Sequence, residues 1–179
     1  DAVLAETVEE IAPSFSKLVL TPELIEVSSE NSEIEGTQSL LDLEPRTHWH
    51  VKFPTETKKH WIIIDAGDAI RIGALGLMPN FNNPKQIWNS GNAVIQGSLN
   101  REEWIDIARL PVDKSNLASS EPEWLYYELE AVTDYRYYRI LITDQHFLSL
   151  ADMEIYEFIS QSDAVLAETV EEIAPSFSK

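Results

Sequence analysis

The strongest constraint on the fold is a series of nine short segments rich in Ile, Val, Tyr and Trp. Each segment is bounded by Pro, Gly, Asn or Asp, and no apolar pattern of helical period separates one from the next. β-branched and aromatic residues between turn residues favour extended strands. Nine strands without intervening helices predict an all-β, antiparallel sandwich. The predicted strands are 24–29, 49–53, 60–65, 70–78, 93–98, 104–110, 124–131, 135–143 and 150–158.

Burial and loop positions follow from the same pattern. Ile62, Ile63 and Ile64 form a continuous apolar run, which predicts a central strand covered on both faces. The longest stretches without a strand are 79–92 and 112–122, and both are polar and rich in turn residues. Loops of this length in a compact domain are typically functional or mobile.

One segment of 17 residues occurs twice. Residues 1–17, DAVLAETVEEIAPSFSK, recur letter for letter at 163–179. A repeat with a period of about one domain indicates one complete unit and the opening of the next. We therefore predict a connector at 1–17, a β-sandwich at 18–162 and a second copy of the connector at 163–179. The alternative is an engineered duplication.

The repeated segment has the pattern of a short amphipathic helix. Leu4, Val8 and Ile11 fall on one face, and Pro13 ends the pattern before a predicted turn at 14–16. Because so short a helix is marginal in isolation, an extended flank is the alternative. Its apolar face predicts contacts with a neighbouring repeat unit or a second chain.

Composition excludes several classes of function. The chain has no cysteine, which rules out disulfides, thiolate catalysis and cysteine–zinc sites. Its net charge of −18 opposes binding to nucleic acid and to anionic membranes. No apolar run approaches the roughly 20 residues that a membrane-spanning helix needs, so we expect no membrane insertion.

The sequence also argues against catalysis. It contains four histidines and neither a G-x-S-x-G nor an H-E-x-x-H motif. Its paired carboxylates, such as Glu102 and Glu103, are adjacent in sequence, so on a regular element they diverge. Glycoside hydrolysis instead needs two carboxyl groups that face each other across a cleft. We therefore expect a protein that is not an enzyme.

Five pieces of sequence occur in the order typical of one known family. Together they resemble the discoidin, or coagulation factor 5/8 type C, domain over about residues 20–160. The pieces are LLDLEPRTHWH with HWIIIDAG from residue 40, GALGLMPN from 73, VIQGSLNREEWIDIA from 94, YRYYRILITD from 135 and LADMEIYEF from 150.

This resemblance implies a galactose-binding-like jelly-roll β-sandwich whose termini lie close together. The absence of cysteine is similar to the bacterial members, including family 32 carbohydrate-binding modules. The resemblance therefore implies a non-catalytic ligand-binding module of an exported or cell-surface protein. The expected ligand is a glycan, and a protein is the alternative ligand. Two alternatives remain: a structural or adhesive repeat unit, and an intracellular protein-interaction domain.

In this family, ligands bind to loops at one end of the sandwich. Sugar binding needs an aromatic face for the ring and planar polar groups for the hydroxyls. Loops 80–92 and 145–149 offer both, although Asn, Gly and Pro are also ordinary turn residues. The predicted ligand-binding residues are Phe81, Trp88, Asn82, Asn89, His146 and Phe147.

The resemblance also implies one structural Ca²⁺ at the LLDLEPRT turn. Oxygen-rich turns suit this hard cation, which takes six to eight oxygen ligands. The sequence departs from the family at Leu43, where the family has Gly, and at Glu44, where it has Asp. The alternative is that the acidic residues only cap a turn beside Arg46. The implied ligands are the Leu41 carbonyl, Asp42, Glu44, Thr47 and Glu154.

Overall fold

A computed structural model describes residues 14–159 as two antiparallel sheets packed face to face. Ten strands form the sheets, and three short 3₁₀ helices cover Pro22–Leu24, Glu33–Glu35 and Thr37–Leu40. None of the helices in this part of the chain has the length and apolar character to cross a membrane. The strands are β1 (Ser14–Lys17), β2 (Ile25–Val27), β3 (Trp49–His50), β4 (His60–Ile70), β5 (Ile72–Pro79), β6 (Ala93–Ser98), β7 (Ile105–Arg109), β8 (Leu125–Glu128), β9 (Tyr135–Ile142) and β10 (Ser149–Ile159).

The order of the strands confirms the predicted sandwich. The first sheet has the order β1-β10-β5-β8, and β3 pairs with the same β10. The second sheet has the order β2-β4-β9-β6-β7. Strands that are neighbours in a sheet are mostly distant in sequence, so the fold depends on non-local pairing. All nine predicted strands are present, with some ends shifted.

The core lies between the sheets. Ile62 and Ile64 of β4 and Leu75 and Leu77 of β5 are fully buried, and Ile63 is nearly so. This burial confirms β4 as a central strand, between β2 and β9. Burial of such branched side chains is the main favourable term in the stability of a domain of this size.

The first strand was not predicted. Residues 14–16 are not a turn, because Ser14 to Lys17 pair with Ile159 to Tyr156 along the edge of β10. Serine favours turns locally, but the ladder to β10 satisfies the backbone, and Phe15 packs edge-to-face against Phe158 with ring centroids 6.4 Å apart. The last four residues of the predicted connector thus belong to the sandwich. The predicted helix and the copy at 163–179 lie outside the described residues.

Candidate functional site

Several loops meet at one end of the sandwich. The start of β4 pairs with the end of β9 through His60 and Ile142, and the start of β10 pairs with the end of β5 through Leu150 and Pro79. Antiparallel pairing therefore brings both long predicted loops to the same end as two shorter ones. We call this end the loop end; its loops are 51–59, 80–92, 110–124 and 143–148.

The loop at 80–92 is anchored to the first sheet by a buried asparagine. The Asn80 side-chain amide donates to the Ser149 hydroxyl at 3.0 Å, and the Asn80 side-chain oxygen accepts the backbone N–H of Asn82 at 3.0 Å. The Ser149 hydroxyl donates in turn to the Gln86 side-chain oxygen at 2.7 Å. Satisfied buried polar groups of this kind fix a loop in one conformation.

Trp88 cannot stack on a ligand, which corrects the sequence-based prediction. It is fully buried, and its indole N–H donates to the Leu110 carbonyl at 2.8 Å. The preceding residue, Ile87, is fully buried as well. These two adjacent apolar side chains fill the core beneath the loop, so Trp88 is a structural residue.

The other predicted residues of this loop are accessible. Phe81 is half-buried, and the Arg46 guanidinium lies 5.4 Å from the centroid of its ring. The Phe81 carbonyl accepts the N–H of Glu121 at 2.9 Å, which joins the two long loops. Asn82 and Asn89 are exposed, so their amides are available for hydrogen bonds to a ligand.

An exposed aromatic pair stands at the loop end. Phe147 is 46% exposed, and its ring centroid lies 4.9 Å from that of Phe53, which is 54% exposed. His146, beside Phe147 in the chain, is exposed as well. Sequence reasoning missed Phe53, because it placed residue 53 at the end of a strand that stops at His50. The position of Phe53 directly before Pro54 could have indicated an exposed turn residue.

Histidines at this end hold the backbone in place. The His60 ring nitrogen Nε2 donates to the Gln145 carbonyl at 2.7 Å. Burial lowers the pKa of His60, which favours the neutral ring. The Asn31 N–H donates to the His50 carbonyl, and the Asn31 side-chain oxygen accepts the N–H of Phe53 at 3.1 Å. These bonds fix the segments that carry Phe147 and Phe53.

The acidic turn at 41–47 is closed by its own hydrogen bonds. Asp42 accepts the backbone N–H of Glu44 at 2.9 Å and also the Thr47 hydroxyl. Leu43 has a φ of 57°, the left-handed conformation that favours glycine. The chain thus retains the backbone of a glycine turn although the side chain is leucine.

A buried carboxyl that the sequence analysis did not predict faces this turn. Asp152 is 2% exposed and accepts the backbone N–H of Leu43 at 3.1 Å. Burial raises the pKa of Asp152 to about 7, and the charges of Asp42 and Glu154 act in the same direction. Asp152 lies in LADMEIYEF, two residues before the glutamate chosen from the sequence.

Glu154 is engaged by partners other than the turn. The Lys17 ammonium donates to one of its oxygens at 2.9 Å, and the Tyr156 hydroxyl donates to the other. Within residues 14–159, no three His, Asp or Glu side chains form a group able to hold a metal ion. The calcium site stays a prediction; the carboxylates of Asp42 and Glu44 accept backbone N–H groups within the turn, and that of Asp152 accepts the N–H of Leu43.

The fold is that of a galactose-binding-like β-sandwich domain. A model of the F5/8 type C domain family matches residues 25–153, and the chain belongs to this family. Comparison with curated proteins by sequence gives no match.

Solved structures with the same fold include three bacterial domains. CpGH89CBM32-5 from Clostridium perfringens, in complex with GalNAc-β-1,3-galactose, is similar with a TM-score of 0.62 and 16% identity over 78% of this chain and 99% of that chain. The family 32 module of C. perfringens NanJ, in complex with galactose, has a TM-score of 0.61 and 15% identity over 80% and 100%. An F5/8 type C domain from Bacteroides fragilis has a TM-score of 0.62 and 16% identity over 82% and 98%.

Proposed function

We propose that the domain is a non-catalytic carbohydrate-binding module whose ligand lies at the loop end. The observation that carries this proposal is the exposed aromatic pair Phe53 and Phe147 at the loop end. The structures of CpGH89CBM32-5 with GalNAc-β-1,3-galactose and of the NanJ module with galactose support it. Galactose and N-acetylgalactosamine are therefore the first sugars to test.

The chemistry of the loop end suits a sugar ring. Phe53 and Phe147 offer apolar ring faces for the C–H groups of a pyranose. The exposed amides of Asn82 and Asn89 and the ring of His146 supply donors and acceptors for hydroxyls. An apolar platform beside a few polar groups is the usual composition of a small-molecule site.

Binding without catalysis is consistent with the placement of the acidic groups. Asp152 has the raised pKa that a general acid needs, but it is buried and hydrogen-bonded to Leu43. A glycosidic oxygen must come within hydrogen-bond distance of its acid, which burial of Asp152 prevents. A glycan-binding domain of this family also suits an exported or cell-surface bacterial protein, where glycans are available, and binding in an array of units would add avidity.

A glycan array followed by calorimetry tests the proposal. We expect binding to galactose- or GalNAc-terminated glycans. Phe53→Ala should weaken the affinity about tenfold, because loss of an aromatic platform removes roughly 1–2 kcal/mol. Ile105→Ala is the matched control, since Ile105 is 55% exposed, like Phe53, but lies at the start of β7, at the opposite end of that strand from loop 110–124. A folded protein that binds no glycan, or equal losses in both variants, would contradict the proposal.

A structural or adhesive role is the second candidate. It is favoured by one observation, namely that the last four residues of the repeated segment form part of the sandwich. In that role the domain positions or joins units without a sugar ligand. An array with no binding, together with a rigid shape in solution scattering, would favour this candidate over the first.

A further inference from the structure

We propose that the edge of β10 accepts either copy of the SFSK sequence, so that residues 176–179 can replace β1. In the structure this edge is occupied by Ser14–Lys17. Residues 176–179 have the identical sequence. An identical peptide has the same intrinsic affinity for the same edge, and only the connection to the rest of the chain differs. This inference is independent of glycan binding.

The edge is specific for this sequence. The Phe15 ring packs against Phe158, and a Cβ atom added to Gly73 would lie 2.5 Å from the Phe15 ring. Two residues later, the Lys17 ammonium contacts Glu154 at 2.9 Å. The site therefore combines a cleft for a phenyl ring with a carboxylate for an ammonium group. In the second copy these two side chains are supplied by Phe177 and Lys179.

The chain connection permits docking within one molecule. In the observed register, Ser14 lies opposite Ile159, the last residue of β10. The second copy begins at Ser176, after the linker 160–175. Such a linker reaches roughly 50 Å when extended, far more than the ~4.8 Å between neighbouring strands. It therefore allows the same antiparallel register as a long hairpin.

Tethering decides between the chain's own copy and one from another molecule. Tethering through a linker of this length gives an effective concentration on the order of 1 mM. At micromolar protein, a strand from a second molecule is at roughly a thousandfold disadvantage. The partner we propose is therefore residues 176–179 of the same chain.

In the intact protein, residues 14–17 occupy the edge of β10, because the chain directly after them also hydrogen-bonds to β10. Directly after β1, the Leu18 N–H donates to the Ile155 carbonyl at 2.8 Å. This bond keeps the N-terminal copy in register. When a substitution weakens the pairing of residues 14–17 with β10, residues 176–179 pair with β10 instead. The repeat thus provides a second segment able to form the edge strand.

Disulfide trapping tests the docking directly, because the chain has no cysteine of its own. Ser16 lies opposite Glu157, so the equivalent pair for the second copy is Ser178 and Glu157. In a Phe15→Asp background, Glu157→Cys with Ser178→Cys should form an intramolecular disulfide, seen as a reducible mobility shift of the monomer. Glu157→Cys with Thr169→Cys measures random collisions of the linker and should cross-link at least tenfold more slowly.

Paired substitutions in the two copies give an independent readout. Phe15→Asp alone and Phe177→Asp alone should each lower the melting temperature by no more than about 2 °C. The double variant should lose about 5 °C or more, because no intact copy is left. Failure of Phe15→Asp to fold, or equal stability of Phe15→Asp and the double variant, would overturn the proposal. Equal cross-linking at 178 and 169, or disulfide-linked dimers as the main product, would overturn it as well.

Discussion

Two loops at the same end of the sandwich each contribute an aromatic residue, and they use it in opposite ways. Loop 80–92 buries Trp88 and pairs its indole N–H with the Leu110 carbonyl. Loop 143–148 leaves Phe147 half exposed against Phe53. The difference shows that residue type and loop position do not identify a ligand platform. Burial and a satisfied N–H distinguish the structural aromatic residue from the available one.

The largest expected effect separates these two residues by stability. Trp88→Ala should destabilise the domain by about 3–5 kcal/mol, because it leaves a cavity in the core and an unpaired carbonyl on Leu110. Phe147→Ala should cost under about 1 kcal/mol. Urea denaturation measures both variants. Equal losses would mean that the two side chains have the same structural role.

A second contrast concerns Asp152, which is buried, and Asp42, which lies in an exposed turn. The pKa of Asp152 is raised to about 7 by burial. The folded protein therefore holds a proton that the unfolded chain releases near pH 4, and stability falls as pH rises from about 4 to 7. Asp152→Asn should remove this dependence and raise stability at pH 8 by roughly 1–3 kcal/mol.

Chemical denaturation at pH 5 and pH 8 measures this effect, and Asp42→Asn serves as its control. The control should keep most of the slope with pH, because the burial of Asp152 is unchanged. A wild-type protein whose stability is the same at both values of pH would contradict the assignment to Asp152.

The third prediction concerns binding by the exposed loop. Phe147→Ala should weaken the affinity for a bound glycan about tenfold, equal to about 1.4 kcal/mol, while the fold is retained. Calorimetry of the wild type and the variant measures the change. Unchanged affinity would mean that Phe147 does not contact the glycan and would contradict binding by the Phe53–Phe147 pair.

The last prediction concerns the effect of calcium on the acidic turn. If the predicted site binds Ca²⁺, a concentration ten times the dissociation constant adds about 1.4 kcal/mol of stability. The melting temperature should then rise by roughly 3–5 °C in millimolar Ca²⁺ compared with EDTA, and Asp42→Asn should abolish the rise. Identical melting curves in Ca²⁺ and EDTA would end the calcium prediction.

The sandwich could be predicted from sequence because its signal is local. The apolar run Ile62–Ile64 in β4 and the aromatic and branched residues of β9, with turn residues at the ends, mark strands whatever their partners are. β1 has no such signal, since SFSK reads as a turn until its pairing with Ile159 is known. Strand order and edge pairing come from non-local contacts, which a local pattern does not contain.

The candidate site was predictable in its place and only partly in its residues. The composition of segments 80–92 and 145–149 predicted a site, and Phe147 is exposed in the structure. Trp88 has the same local signal, but packing beneath the loop decides its burial. The turn shows a similar limit, because the family resemblance implied Glu154, whereas the buried carboxyl that accepts the N–H of Leu43 is Asp152.

The most direct test of a ligand site at the loop end is an NMR titration of the ¹⁵N-labelled protein with galactose and with GalNAc-β-1,3-galactose. We predict that amide shifts concentrate in 51–59, 80–92 and 143–148, with the largest changes next to Phe53 and Phe147. The amides around Ile105, at the start of β7 and far from these loops, should remain unchanged. Shifts centred on the outer face of either sheet, or none at saturating sugar, would contradict a glycan site at the loop end.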